Sequence, residues 1–149
     1  ARYVFKGMRK KPEVMEKVFW KLGDQILKYM ELVKEYGGDL ISYADSSGGV
    51  NILGPKMMEA VTVNFTYPFL KKVEQLADDK TMILLCPKTT LALIGTEKAK
   101  FVDHQLEEPI GYAQACIHMI GKAHFAGQMC IKNVGYQLNH GIFKEVKLL

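Results

Sequence analysis

Four β-branched, apolar stretches each end on a side chain that can do chemistry: DLISYAD at Asp45, TMILLC at Cys86, KFVDHQ at His104 and Gln105, and AHFAGQMC at Cys130. Helical patterning follows most of these ends. Apolar strands alternating with helices predict parallel strands covered by helices, and in such folds the carboxyl ends of the strands carry the site. The expectation is an α/β fold whose four strand ends share one rim.

Length sets the scale of that fold. The 149 residues suit one domain over 1–149 with a real core, and fall short of the ~250 residues of a closed (β/α)8 barrel. With 48% hydrophobic and 24% charged residues, the composition is that of a globular chain rather than a disordered or membrane one. Apolar runs such as MILLC are far below the ~20 residues a membrane helix needs. The start ARYVFKGMRKK carries charge without the apolar segment of a secretory leader, so the expected location is the cytoplasm. Cys86, Cys116 and Cys130 cannot all pair within one chain, which favours a reducing compartment over a disulfide scaffold. The net charge of +4 gathers at Arg2, Lys6, Arg9, Lys10 and Lys11. No aromatic-interleaved basic stripe accompanies it, so no nucleic acid is expected, whereas an anionic small substrate is compatible.

Along the chain, Pro12 suits a first helical turn. Met15, Val18, Phe19, Leu22, Ile26, Met30 and Val33 then recur at three- and four-residue steps until Gly37 and Gly38 stop them. Strand 39–45 follows, then the loop SSGGVNILG and a helix over 55–66 that Tyr67-Pro68 breaks and restarts, the second piece ending near Asp78-Asp79. Beyond it the pattern predicts strand 81–86, helix 89–95, strand 100–105, helix 110–120, strand 123–130 and a last strand over 142–148.

These stretches resemble the uroporphyrinogen decarboxylase superfamily, which includes cobamide-dependent methyltransferases. GDLISYADSSGGVNILGPK is similar to the family segment in which a strand ends in aspartate before a glycine-containing loop and a Gly-Pro helix start. TMILLCPKTT is similar to the next strand, where the methyltransferases carry His-x-Cys. AHFAGQMCIKN falls where the decarboxylases have a Gly-Asn-Leu-Asp-Pro strand end, and LNHGI resembles their late Gly-His-Gly segment. The resemblance implies parallel strands alternating with helices, as the C-terminal half of a (β/α)8 TIM-type barrel. It also implies either a missing N-terminal half or a homo-oligomer that completes the barrel.

For the site, the likeness implies two chemistries. One is methyl transfer from a corrinoid, carried on a partner protein, to a thiol or pterin. There a zinc ion held by Cys86 and Cys130 would activate the thiol, with a third ligand from His104, His140, Asp45 or a partner chain. Leu84 stands at the family's histidine position and cannot ligate. The other is decarboxylation of a tetrapyrrole acid, with His140 against a substrate carboxylate; the family's own catalytic aspartate belongs to the first half of the barrel, which has no counterpart here, and Asp45 is expected to be catalytic from its strand-end position, where it can accept hydrogen bonds from substrate amines. Lys88, His104 and Gln105 are the expected substrate-binding residues. The plainer alternatives stay open: buried fillers for the cysteines, a loop cap for Asp45, a turn residue for His140, and a non-catalytic assembly domain for the whole.

Overall fold

The computed structural model describes residues 2–45, 49–107, 109–133, 135–138 and 140–149. Helix α1 (Arg2–Lys10) leads into α2 (Pro12–Glu35), whose start at Pro12 and stop before the double glycine follow the sequence pattern. Strand β1 (Leu40–Tyr43) comes next, then short α3 (Val50–Leu53) and α4 (Pro55–Val61). The expected break at Tyr67-Pro68 is a π-helical turn over Thr62–Thr66 that runs straight into α5 (Tyr67–Val73). Proline has no N–H and its ring crowds the preceding turn, and a widened turn absorbs both problems without ending the helix.

The remaining elements are β2 (Met82–Leu85), α6 (Pro87–Gly95), β3 (Ala99–Gln105), β4 (Ile110–Gly111), α7 (Tyr112–His118), β5 (Phe125–Ala126), β6 (Gln137–Leu138) and β7 (Ile142–Leu148). Five strands form one sheet in the order β1-β2-β5-β7-β3, while β4 and β6 pair as a separate ribbon. The first two pairings are parallel, with Leu40 opposite Met82 and Ile83 opposite Phe125.

Strand β7 breaks the expected pattern. It lies between β5 and β3 and is antiparallel to both. This overturns the all-parallel, half-(β/α)8 reading: the sheet is mixed. A parallel return from β5 would need a crossover of a dozen or more residues, usually a helix. Between β5 and β7 the described chain offers only a single 3-10 turn at Ile131–Asn133 and the two-residue β6, so the tail comes back antiparallel. The predicted strand 123–130 shrinks to two residues for the same reason: β7 meets β5 through the single pair Ala126 and Glu145.

Both faces of the sheet are covered, which is why Met82, Ile83, Leu84 and Leu85 are all buried. Ile83, Leu85, Phe125 and Val146 pack with Met30, Phe69, Leu70 and Val73 from α2 and α5, and with Leu93 from α6. Met82, Leu84, Ala126 and Phe143 face the other way, onto Ala115, Cys116 and Met119 at α7 and Leu138 of the ribbon. An aromatic chain ties α2 to the sheet: Phe19 and Trp20 meet Phe65, Phe65 stacks on Phe69 at 5.8 Å, and Phe69 meets Tyr43. Gly23 eases this approach, since a Cβ there would sit 3.3 Å from both Phe65 and Phe69 and one of the rings would have to give by a few tenths of an ångström.

Asp78 fixes the entry to β2. Its carboxylate accepts from Lys34 Nζ at 2.6 Å and from the N–H groups of Lys80 and Thr81. The Lys34 hydrogen bond, helped by those N–H donors, holds this carboxyl below its ordinary range. On α2, Val18, Leu22 and Ile26 were expected to face the core, yet they lie exposed with Val14, Tyr29 and Leu32. The helix is apolar around much more than half its circumference, and only the side bearing Gly23 and Met30 is used.

Where β5 leaves the sheet, a Cβ on Gly127 would lie 2.2 Å from Thr90 Oγ1 and 3.0 Å from a Val146 methyl. Gly127→Ala is therefore expected to destabilise by about 1–3 kcal/mol through overpacking. Adding Thr90→Ala should recover part of that loss in urea melts; an unchanged midpoint for Gly127→Ala alone would contradict the packing.

Candidate functional site

The carboxyl edge of the sheet gathers most of the chemistry marked by the sequence. Strands β1, β2 and β5 are adjacent and parallel, and β3 runs in the same sense, being antiparallel to β7, which is antiparallel to β5. Asp45 and Cys86 thus end neighbouring strands. Cys86 is the N-cap of α6, and its N–H bonds to the Tyr43 carbonyl at 3.2 Å. The Asp45 carbonyl accepts from the Thr89 hydroxyl at 3.3 Å, tying the β1 end to the first turn of α6. Lys88 is exposed in that turn, with its stem against Gly49. Beneath the edge, Thr90 Oγ1 is buried with no hydrogen-bond partner among the described residues. Such an orphan costs about 1–3 kcal/mol.

Three strand spacings separate Cys86 from His104, roughly 14 Å at about 4.8 Å each. His104 is therefore not part of the Asp45 and Cys86 cluster. Its Nε2 lies 2.8 Å from Glu145 Oε2, diagonally across the β3–β7 ladder, and its ring packs 6.4 Å from Phe143. The Gln105 carboxamide donates to the Leu106 and His140 carbonyls, fastening the end of β3 to the turn before β7. His140 sits exposed on that turn, and Gly141 takes the positive φ of 62° that closes it.

Cys130 lies four residues beyond β5, half-buried, where its carbonyl accepts from the Asn133 N–H. Among the described residues no group of three His, Cys, Asp or Glu side chains converges to hold a metal ion. The zinc set expected around Cys86 and Cys130 is not assembled by the described ligands. All three cysteines are free thiols.

Sequence reasoning missed Gln128 and Glu145. The Gln128 carboxamide accepts from Lys144 N–H at 2.7 Å and reaches the Ile142 carbonyl, extending the one-pair β5–β7 contact with a side chain in place of backbone. Only the register of β7 reveals either role. The sequence reading also passed over His118 and Lys122, which share a polar groove of about 610 Å³ with His104. A second groove of about 450 Å³, between α1, α2 and the α4 region, is lined mostly by Met8, Met15, Phe19, Val61 and Phe65, with Glu16 and Asn64 as its polar members.

Comparison with known protein families, characterised proteins and solved structures finds no match to this chain.

Burial pushes the Cys116 thiol up to about 11, a shift that its hydrogen bond with Tyr112 partly offsets. Burial likewise raises the Tyr112 phenol, as does neighbouring Cys116, and raises Tyr43 with help from the Asp45 charge. The folded state therefore holds the Cys116 proton more tightly than the unfolded chain does. The stability this contributes is intact below the ordinary thiol value of 9.0 and is lost as pH rises through about 11. Urea midpoints should fall over that window; a flat or rising profile would contradict it. At neutral pH, half-buried Cys86 and Cys130 should react with a thiol reagent while buried Cys116 waits for denaturant.

Proposed function

We propose that the chain handles a carboxylate-bearing small molecule at the carboxyl edge of β1 and β2. Of the two chemistries implied by the family resemblance, removal of a carboxylate suits these residues better than methyl transfer. One observation supports the reading: Asp45 and Cys86 end adjacent parallel strands, and α6 starts at Cys86 with Lys88 in its first turn. The Lys88 and Thr89 N–H groups have no intrahelical acceptor, and a helix N-terminus favours negative charge. The Lys88 ammonium adds a full positive charge beside them. A substrate carboxylate is received at this corner, and Asp45, one strand away, takes a hydrogen bond from a substrate N–H. The mixed sheet means that this reading stands on the corner itself and not on a barrel.

Methyl transfer to a thiol, with the corrinoid on a partner protein, is the second reading, and the half-buried Cys86 thiol at the strand end favours it. Its zinc would need a third ligand that the described residues do not bring to Cys86 and Cys130. A reducing, cytoplasmic setting accompanies either reading and suits the three free thiols.

Titration with a porphyrin polycarboxylate, followed by its absorbance, tests the choice. The native chain should bind saturably, and Lys88→Gln should weaken binding about tenfold, equivalent to ~1.4 kcal/mol. Stoichiometric zinc in the purified protein, lost on Cys86→Ser, would overturn this reading in favour of methyl transfer.

A further inference from the structure

The groove beside β3 has a chemistry of its own, separate from the Asp45 and Cys86 corner. Two side-chain pairs border it. On one wall, His104 is held by Glu145 at 2.8 Å and braced by Phe143. The His104 side chain is 30% exposed and the Glu145 side chain only 15%, so the imidazole faces the groove while its carboxylate partner lies behind. A carboxylate at Nε2 keeps the proton on that nitrogen and leaves Nδ1 as the acceptor, the arrangement by which a second group orients a histidine for proton transfer.

His118, which closes α7, also lines the groove, and the Lys122 ammonium donates to its Nε2 at 3.1 Å. A neutral His118 that accepts at Nε2 carries its proton on Nδ1. This pair therefore presents both an ammonium and a ring N–H. The apolar part of the lining comes from Ile110 and Pro109, with buried Leu106 and Met119 behind. Glu107 also borders the groove, which directs an anion away from that carboxylate and toward Lys122. The volume of about 610 Å³ lies within the range of small-molecule sites, which pair apolar walls with a few placed polar groups.

We propose that this groove binds a small organic acid with an apolar body. Lys122 and His118 hold its carboxylate, Ile110, Pro109 and the edge of Leu106 meet its body, and the His104 ring, held by Glu145, lies along the same groove. The site shares no residue with the corner at Lys88, so the two stand or fall separately.

Benzoate, a carboxylate on an apolar ring, is the probe, and the side-chain resonances of the four histidines are the readout. Saturable shifts are expected at His104 and His118. His124, paired with Glu74 ahead of β5, should stay still. Exposed Lys122→Gln keeps the fold and should weaken benzoate about tenfold. Lys28→Gln, exposed on α2, should leave the titration unchanged. Inorganic phosphate, an anion with no apolar body, should shift His118 more weakly than benzoate and spare His104. Absence of saturable shifts at both histidines, or equal affinity in Lys122→Gln, overturns the proposal; equal shifts with phosphate would overturn the organic-acid assignment.

Discussion

The antiparallel ladder between β3 and β7 is the constraint on which the rest of the sheet depends. Seven residue pairs, from Ala99 opposite Leu148 to Gln105 opposite Ile142, make it the longest pairing in the molecule. It fixes which face each tail side chain meets: Val146 and Leu148 reach the α2 and α5 side, and Phe143 reaches α7. A one-residue slip would exchange those faces and put Lys147 into the core. Among the described residues the ladder joins the parallel half of the sheet through the pair Ala126 and Glu145 and the side-chain rung of the Gln128 carboxamide. Glu145 consequently does two jobs, holding the strand junction at its backbone and His104 at its side chain.

The two clusters of buried side chains follow from that junction. Where α2 meets α5, removal of one Cβ at Gly23 eases the closing of an aromatic row from Trp20 to Tyr43. Glycine inside a helix costs about 1 kcal/mol relative to alanine, and aromatic pairs contribute about 0.5–1.5 kcal/mol each beyond their buried area. The three contacts of that row, Trp20–Phe65, Phe65–Phe69 and Phe69–Tyr43, outweigh the single glycine. The far side of the same helix, from Val14 through Leu22 to Tyr29, is exposed.

Chemistry divides across the sheet according to strand order. Asp45 and Cys86 are neighbours because β1 and β2 are neighbours, and α6 rises from Cys86 to add Lys88 and its first-turn N–H groups. His104 ends a strand of the same sense, but β5 and β7 stand between, so it pairs with Glu145 and shares a groove with His118 and Lys122. Gln105, on the same strand end, is spent on backbone carbonyls and serves as a brace for the turn that carries His140.

By itself the sequence determined the local elements. Periodicity marked α2, the run Met82–Leu85 marked a strand buried on both faces, and the tail pattern marked β7 over 142–148. These signals are local, since each rests on side-chain spacing within one segment. Strand direction is not local. Alternation reads the same whichever way a neighbour runs, so nothing in IFKEVKL announced that it would enter between β5 and β3 and reverse the sheet. Tertiary structure alone decided which strand ends became neighbours, because that depends on whether the connecting chain can span a parallel crossover, and between 127 and 141 it returns antiparallel instead.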